Sequence, residues 1–87
     1  MQLSPEDLGA VVTRLFRAEG QIGGILRMIE QGRDCQDIVT QLVAVNHALD
    51  RAGFSLIATH LKHCLSQPGG ADSADAQALE KLFLSLA

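Results

Sequence analysis

DCQDIVTQLVAVNHALDRAGFSLIATHLKHCL, residues Asp34 to Leu65, holds both cysteines of the chain, Cys35 near its start and Cys64 near its end, with His60 one turn before Cys64. Asp34 is a candidate N-cap, Asp37 falls in the first turn, and no proline interrupts the run before Pro68. These signals predict one long helix. Gly53 is its weakest interior point, yet a single interior Gly costs only about 1 kcal/mol against Ala. At about 1.5 Å rise per residue, Cys35 and His60 would then be separated by roughly 37 Å, much too far for one binding site. Two copies of the helix, antiparallel across a two-fold axis, resolve the conflict. Cys35 of one chain would meet His60 and Cys64 of the other, and the contact would recur at the opposite end. The crossing falls near Ala48 and Leu49, where Ala44, Ala48 and Ala52 allow close backbone approach.

Upstream, Ser4, Pro5 and Asp7 form a helix start, with Ser4 as cap, Pro5 at the first helical position and Asp7 in the capping-box position. The first helix is expected to run to about Gln31 and to end at Gly32. Leu8, Leu15, Ile22 and Ile29 recur every seven residues, with Val11 or Val12, Ala18 and Ile25 between them, a heptad seam for a similarly long neighbour. Gly20, Gly23 and Gly24 mark either a close approach of another helix or a weak point. Downstream, Gln67, Pro68, Gly69 and Gly70 break the chain, and a third helix, about Ser73 to Leu86, carries Leu79, Leu82, Phe83 and Leu86 on one stripe.

The predicted fold is all-α: a three-helix protomer of two long helices in an antiparallel hairpin plus a short third helix, residues 1–87 forming a single domain. Eighty-seven residues bury a limited core. The Asp34–Leu65 helix nevertheless has apolar residues on more than one face, Ile38, Leu42, Val45, Leu49 and Leu56 on one side and Val39, Val43, Phe54, Ile57 and Leu61 elsewhere. A lone hairpin cannot cover them all. A dimer forming a four-helix bundle, and a dimer of dimers beyond it, would. The helices are too long for a helix-turn-helix.

No apolar run reaches bilayer length, and MQLSPEDLG has acids where a signal peptide carries bases, so a cytoplasmic protein without membrane contact is expected. Two cysteines in a reducing compartment favour metal or redox chemistry over a disulfide framework. The net charge of −3 does not mark a nucleic-acid binder. However, Glu6, Asp7, Asp34, Asp37, Asp72 and Asp75 all fall in helix caps or first turns, where they favour the helix dipole. Arg14, Arg17 and Gln21 share a helix face suited either to phosphate contact or simply to water.

His60 and Cys64, at i and i+4, stand on one helix face. With Cys35 of a partner they make two thiolates and one imidazole, a set that suits Cu(I), which tolerates low coordination, better than zinc, which seeks a fourth ligand. His63 lies off this face, and His47 lies near the crossing. No Gly-rich loop or acid pair accompanies the cysteines, so an enzyme is not expected.

RLFRAEGQIGGILRMIEQGRDCQDIVTQL, together with THLKHC, resembles the copper-sensitive operon repressor (CsoR) family and its relatives that sense nickel or cobalt, formaldehyde and persulfide. The likeness covers about Arg14 to Leu65. It implies an all-α dimer that assembles into a homotetramer, operator DNA as partner, and inter-subunit Cu(I) sites whose filling releases the DNA. Cys35, His60 and Cys64 match the ligands of the copper branch. Arg14 and Arg51 match basic positions linked to DNA binding, and Arg17 joins them on charge. Glu80 resembles the third-helix acid that supports the ligand histidine, and Asp34 stands beside the first cysteine where copper sensors often have Tyr. The nickel and cobalt pattern needs a His at the Cys64 position. Persulfide sensors keep the cysteines without the histidine, which leaves a thiol-responsive repressor with a Cys35–Cys64 inter-subunit crosslink as the alternative. A cytosolic copper-binding protein without a DNA role is the third reading.

Overall fold

A computed structural model describes residues 3–87. A short 3-10 helix, Pro5–Leu8, leads into α1 (Gly9–Glu30), followed by α2 (Cys35–Leu65), a second 3-10 turn, Gly70–Asp72, and α3 (Ala74–Leu86). The predicted all-α class and its three helices are what the chain forms. The first turn differs in detail. The Ser4 hydroxyl donates to the Asp7 carboxylate at 2.7 Å instead of accepting a backbone N–H, and Asp7 N–H bonds the Ser4 carbonyl at 3.0 Å. That three-residue spacing closes a 3-10 turn, and the α-helical ladder begins only at Gly9.

α1 ends on a Schellman motif. Arg33 N–H bonds the Met28 carbonyl at 3.0 Å and Gly32 N–H bonds the Ile29 carbonyl at 3.1 Å, with Gly32 at φ +68°, a conformation a side chain would resist. Two residues later Asp34 caps α2, its carboxylate accepting from Gln36 N–H at 3.1 Å. The connection is therefore tight, and α1 packs antiparallel along α2. α2 continues unbroken through Gly53 for 31 residues.

The expected heptad seam divides in two. Val11, Ala18 and Ile25 are buried, together with Val45 and Ala52 of α2, whereas Leu15, Ile22 and Ile29 remain 46%, 43% and 57% exposed. One neighbouring helix covers one stripe, and the hairpin supplies only that neighbour. Among the described residues, no helix closes on Gly20, Gly23 or Gly24 of α1. A Cβ at Gly20 would meet open space, and at Gly23 or Gly24 only the Arg27 guanidinium.

α3 folds back antiparallel on the C-terminal half of α2. Ala76 and Leu79 cluster with Cys64, flanked by Ile57 and Leu61, the Phe54 and Phe83 rings lie 5.3 Å apart, and Leu86 presses against Gly53. A Cβ on Gly53 would lie 2.7 Å from Leu86 Cδ1, so the residue that weakens α2 locally is also the one that admits the end of α3. The whole measures 55 × 25 × 12 Å. Its thickness is that of a single helix with side chains, about 10–12 Å, so the hairpin is one layer with an open face. Leu42 and Leu49 of α2, 50% and 43% exposed, share the surface with the uncovered stripe of α1.

Candidate metal centre

The last turns of α2 place His60 above Cys64, and the packing of α3 buries both, at 7% and 6% exposure. The fold-back is fixed locally. Gly69 and Gly70 adopt positive φ in the connection, and Ser73 caps α3, its hydroxyl accepting from Ala76 N–H at 3.1 Å. Asp75, in the first turn of α3, is thereby carried to the end of α2. One ligand atom each from His60, Cys64 and Asp75 lie within 4.8 Å of one another. They open on a cavity of about 430 Å³ that His63, Gln67, Ser73 and Ala74 also line. The His63 ring stands edge-on to His60 at 6.5 Å.

Of the ligands expected from sequence, the chain brings His60 and Cys64 together and leaves Cys35 apart. Cys35 is exposed at the first residue of α2, a helix length away, and both thiols are free. Asp34 acts as the α2 cap. Glu80 is exposed beside an apolar groove lined by Ile57, Leu61, Ala76, Leu79 and Phe83, and among the described residues it makes no side-chain hydrogen bond to His60. Sequence reasoning assigned Asp75 only to the helix dipole. The signal that would have found it is the turn chemistry of residues 66–73, which folds the first turn of α3 against the end of α2.

Arg14 and Arg51 line a shallow hollow with Phe54, Ser55 and Ala58, and Arg17 is exposed one turn along α1. Among the described residues the one ion pair joins Arg33 to Asp37 at 3.6 Å, so these three guanidinium groups have no carboxylate within 4 Å.

A family model described as metal-sensitive transcriptional repressor matches residues 7–85. The chain belongs to that family. As a member of the metal-sensitive repressors, a family of transcription regulators and not of enzymes, it is 42% identical over 69 residues to the copper-sensing transcriptional repressor RicR of Mycobacterium tuberculosis, covering 77% of this chain and 72% of that protein. It is 36% identical over 63 residues to the copper-sensing repressor CsoR of Bacillus subtilis, covering 72% of this chain and 62% of the relative, less than two thirds of that protein's length. The crystal structure of CsoR with Cu(I) from Geobacillus thermodenitrificans superposes with a TM-score of 0.72 at 30% identity, over 99% of this chain and 88% of the other. The resemblance to the CsoR family on Arg14–Leu65 thus extends over almost the whole chain. No helix among the described residues is long and apolar enough to cross a membrane.

The donors gathered in this metal-sensitive repressor differ in hardness. His60 and Cys64 are soft or borderline donors, and Asp75 is hard. A soft monovalent ion would find two good ligands in His60 and Cys64 of one chain.

Proposed function

We propose that the chain is a Cu(I)-responsive transcriptional repressor, cytoplasmic, which binds operator DNA in its metal-free form and is released when its inter-subunit sites are loaded. Each site would consist of Cys35 from one chain and His60 with Cys64 from its partner. The observation that carries this is the separation of the soft donors, two buried together at one end of α2 and the third exposed at the other. A two-fold antiparallel dimer joins such ends twice over. The open face of the hairpin, with Leu15, Ile22, Ile29, Leu42 and Leu49 uncovered, suits a four-helix dimer and, beyond it, a dimer of dimers. The copper-sensing relatives favour Cu(I) as the ion. Bound there, Cu(I) would supply a covalent tie between chains.

Arg14, Arg17 and Arg51 would meet the phosphates, being exposed and, among the described residues, without an acidic partner. Tying Cys35 to the partner's His60 and Cys64 favours one dimer geometry, and the spacing of these guanidinium groups changes with it. A coupling of the usual 1–3 kcal/mol would weaken DNA binding by about 5- to 150-fold, and DNA would weaken metal binding by the same factor. The test is an anaerobic Cu(I) titration of the complex with an operator selected by the metal-free protein from random duplexes. Unchanged DNA affinity at full copper loading would overturn the proposal.

The exposure of Cys35 favours one second reading, a repressor that responds to reactive sulfur by linking Cys35 to Cys64 of the partner. His60→Ala separates the two, because it abolishes a copper response and spares a sulfur response.

A further inference from the structure

Asp75 has no place in the three-coordinate copper site, yet its carboxylate stands with His60 and Cys64 inside 4.8 Å. These three donors come from one chain. We propose that His60, Cys64 and Asp75 form a second, intrachain binding mode at this centre, selective for a divalent ion of the zinc class, in which Cys35 takes no part. The inference rests on the preceding reading only in sharing His60 and Cys64 with the copper site.

Zinc takes nitrogen, thiolate and carboxylate ligands at about 2.0–2.3 Å in tetrahedral geometry, which sets neighbouring donors roughly 3.3–3.6 Å apart. The three groups need to close by only about an ångström. Rotation of the Asp75 side chain on the half-exposed first turn of α3 can supply that movement. On binding, the Cys64 thiol loses its proton to solvent, and the thiolate and carboxylate together neutralise the divalent charge. Neutrality matters where two of the three donors are buried. The fourth position faces the cavity, which admits water or a turned His63. A carboxylate adds little for Cu(I), which prefers a third soft donor to a hard one. Asp75 therefore sorts ions by hardness. A divalent ion is retained within one chain, while Cu(I) passes over Asp75 and recruits the partner's Cys35. Divalent loading would then leave the dimer geometry, and DNA binding, as in the metal-free protein.

The experiment uses the full chain, with Co(II) as the spectroscopic probe and Zn(II) in competition. The expected result is one Co(II) per chain with a near-ultraviolet thiolate-to-cobalt band sized for one sulfur, identical in Cys35→Ser. Asp75→Asn is expected to bind Zn(II) at least tenfold more weakly, and Asp75→His, which restores a zinc ligand, to recover most of that loss; circular dichroism reports whether each variant keeps its helices. A two-sulfur band in the parent protein that halves in Cys35→Ser would overturn the proposal, as would full Zn(II) affinity in helical Asp75→Asn. If Asp75→Asn loses its helices, Asp75→His decides, and weak Zn(II) binding by a folded Asp75→His would likewise overturn it. Cu(I) affinity is read on the same proteins. A Cys35→Ser variant that keeps full Cu(I) affinity defeats the inter-subunit copper site and leaves the zinc result standing.

Discussion

If each copper site draws Cys35 from one chain and His60 with Cys64 from the other, two inactive variants must rescue each other in a fixed proportion. Cys35→Ser and Cys64→Ser each leave every homodimeric site one thiolate short. Unfolded together in equal amounts and refolded, the chains pair at random, so about half of the dimers are mixed. In a mixed dimer one site collects both substituted serines, while the other collects an intact Cys35 from the Cys64→Ser chain and an intact His60 and Cys64 from its partner. Bound copper should therefore recover from near zero in either variant to about 0.25 per chain, against about one in the parent protein. The separation along α2, roughly 37 Å at about 1.5 Å per residue, excludes any rescue inside a single chain. The assay is anaerobic Cu(I) loading against a competing chelator strong enough to strip sites with two donors, followed by metal and protein analysis. Recovery to about 0.5 per chain would mean that Cys35→Ser chains bind copper unaided. No recovery at all would mean that the donors do not meet across the dimer. Either result refutes the proposed site.

Other perturbations give sharp expectations. Arg14→Ala and Arg51→Ala should each weaken operator binding across sequences and lower the slope of log affinity against log salt by about one for every subunit whose guanidinium meets a phosphate, measured by fluorescence anisotropy over a salt series. Gly53→Ala should gain about 0.5–1 kcal/mol in a Leu86→Ala background and little in the parent, where the new methyl displaces Leu86; urea unfolding at one fixed protein concentration measures the difference. Ser73→Ala should cost about 1 kcal/mol, with amide exchange accelerating first at Ala76, whose N–H loses its acceptor.

The two long helices, the stop of α1 and the cap of α2 were legible because their signals are local, whereas the Ser4 start was misread, since its hydroxyl bonds the Asp7 carboxylate and a 3-10 turn precedes α1. Asp34 caps α2 where a short polar side chain precedes an apolar run, and Gly32 stops α1 in a left-handed conformation that glycine adopts without strain. Gly53 was legible as a tolerated interior glycine but not as a contact, because Leu86 reaches it from another helix. The seam of α1 was overread for a similar reason. Periodicity reports which residues share a face, and two stripes three or four residues apart merge into one broad face until a neighbour covers one of them. Asp75 escaped because its role depends on how α3 returns over α2. Its spacing from Cys64 in sequence has none of the regularity of an i, i+4 pair.

The sulfur of Cys64 lives in two neighbourhoods at once, since it belongs to the candidate ligand group with His60 and also to the apolar cluster with Ala76 and Leu79. In the proposed sensor, detector and mortar are the same atom. Any change in its size, charge or oxidation must be absorbed first by the seat of α3, so that helix is the natural gauge of what has happened to the thiol. Conversely, a methyl group added or removed at Ala76 would retune the chemistry of a residue it never bonds.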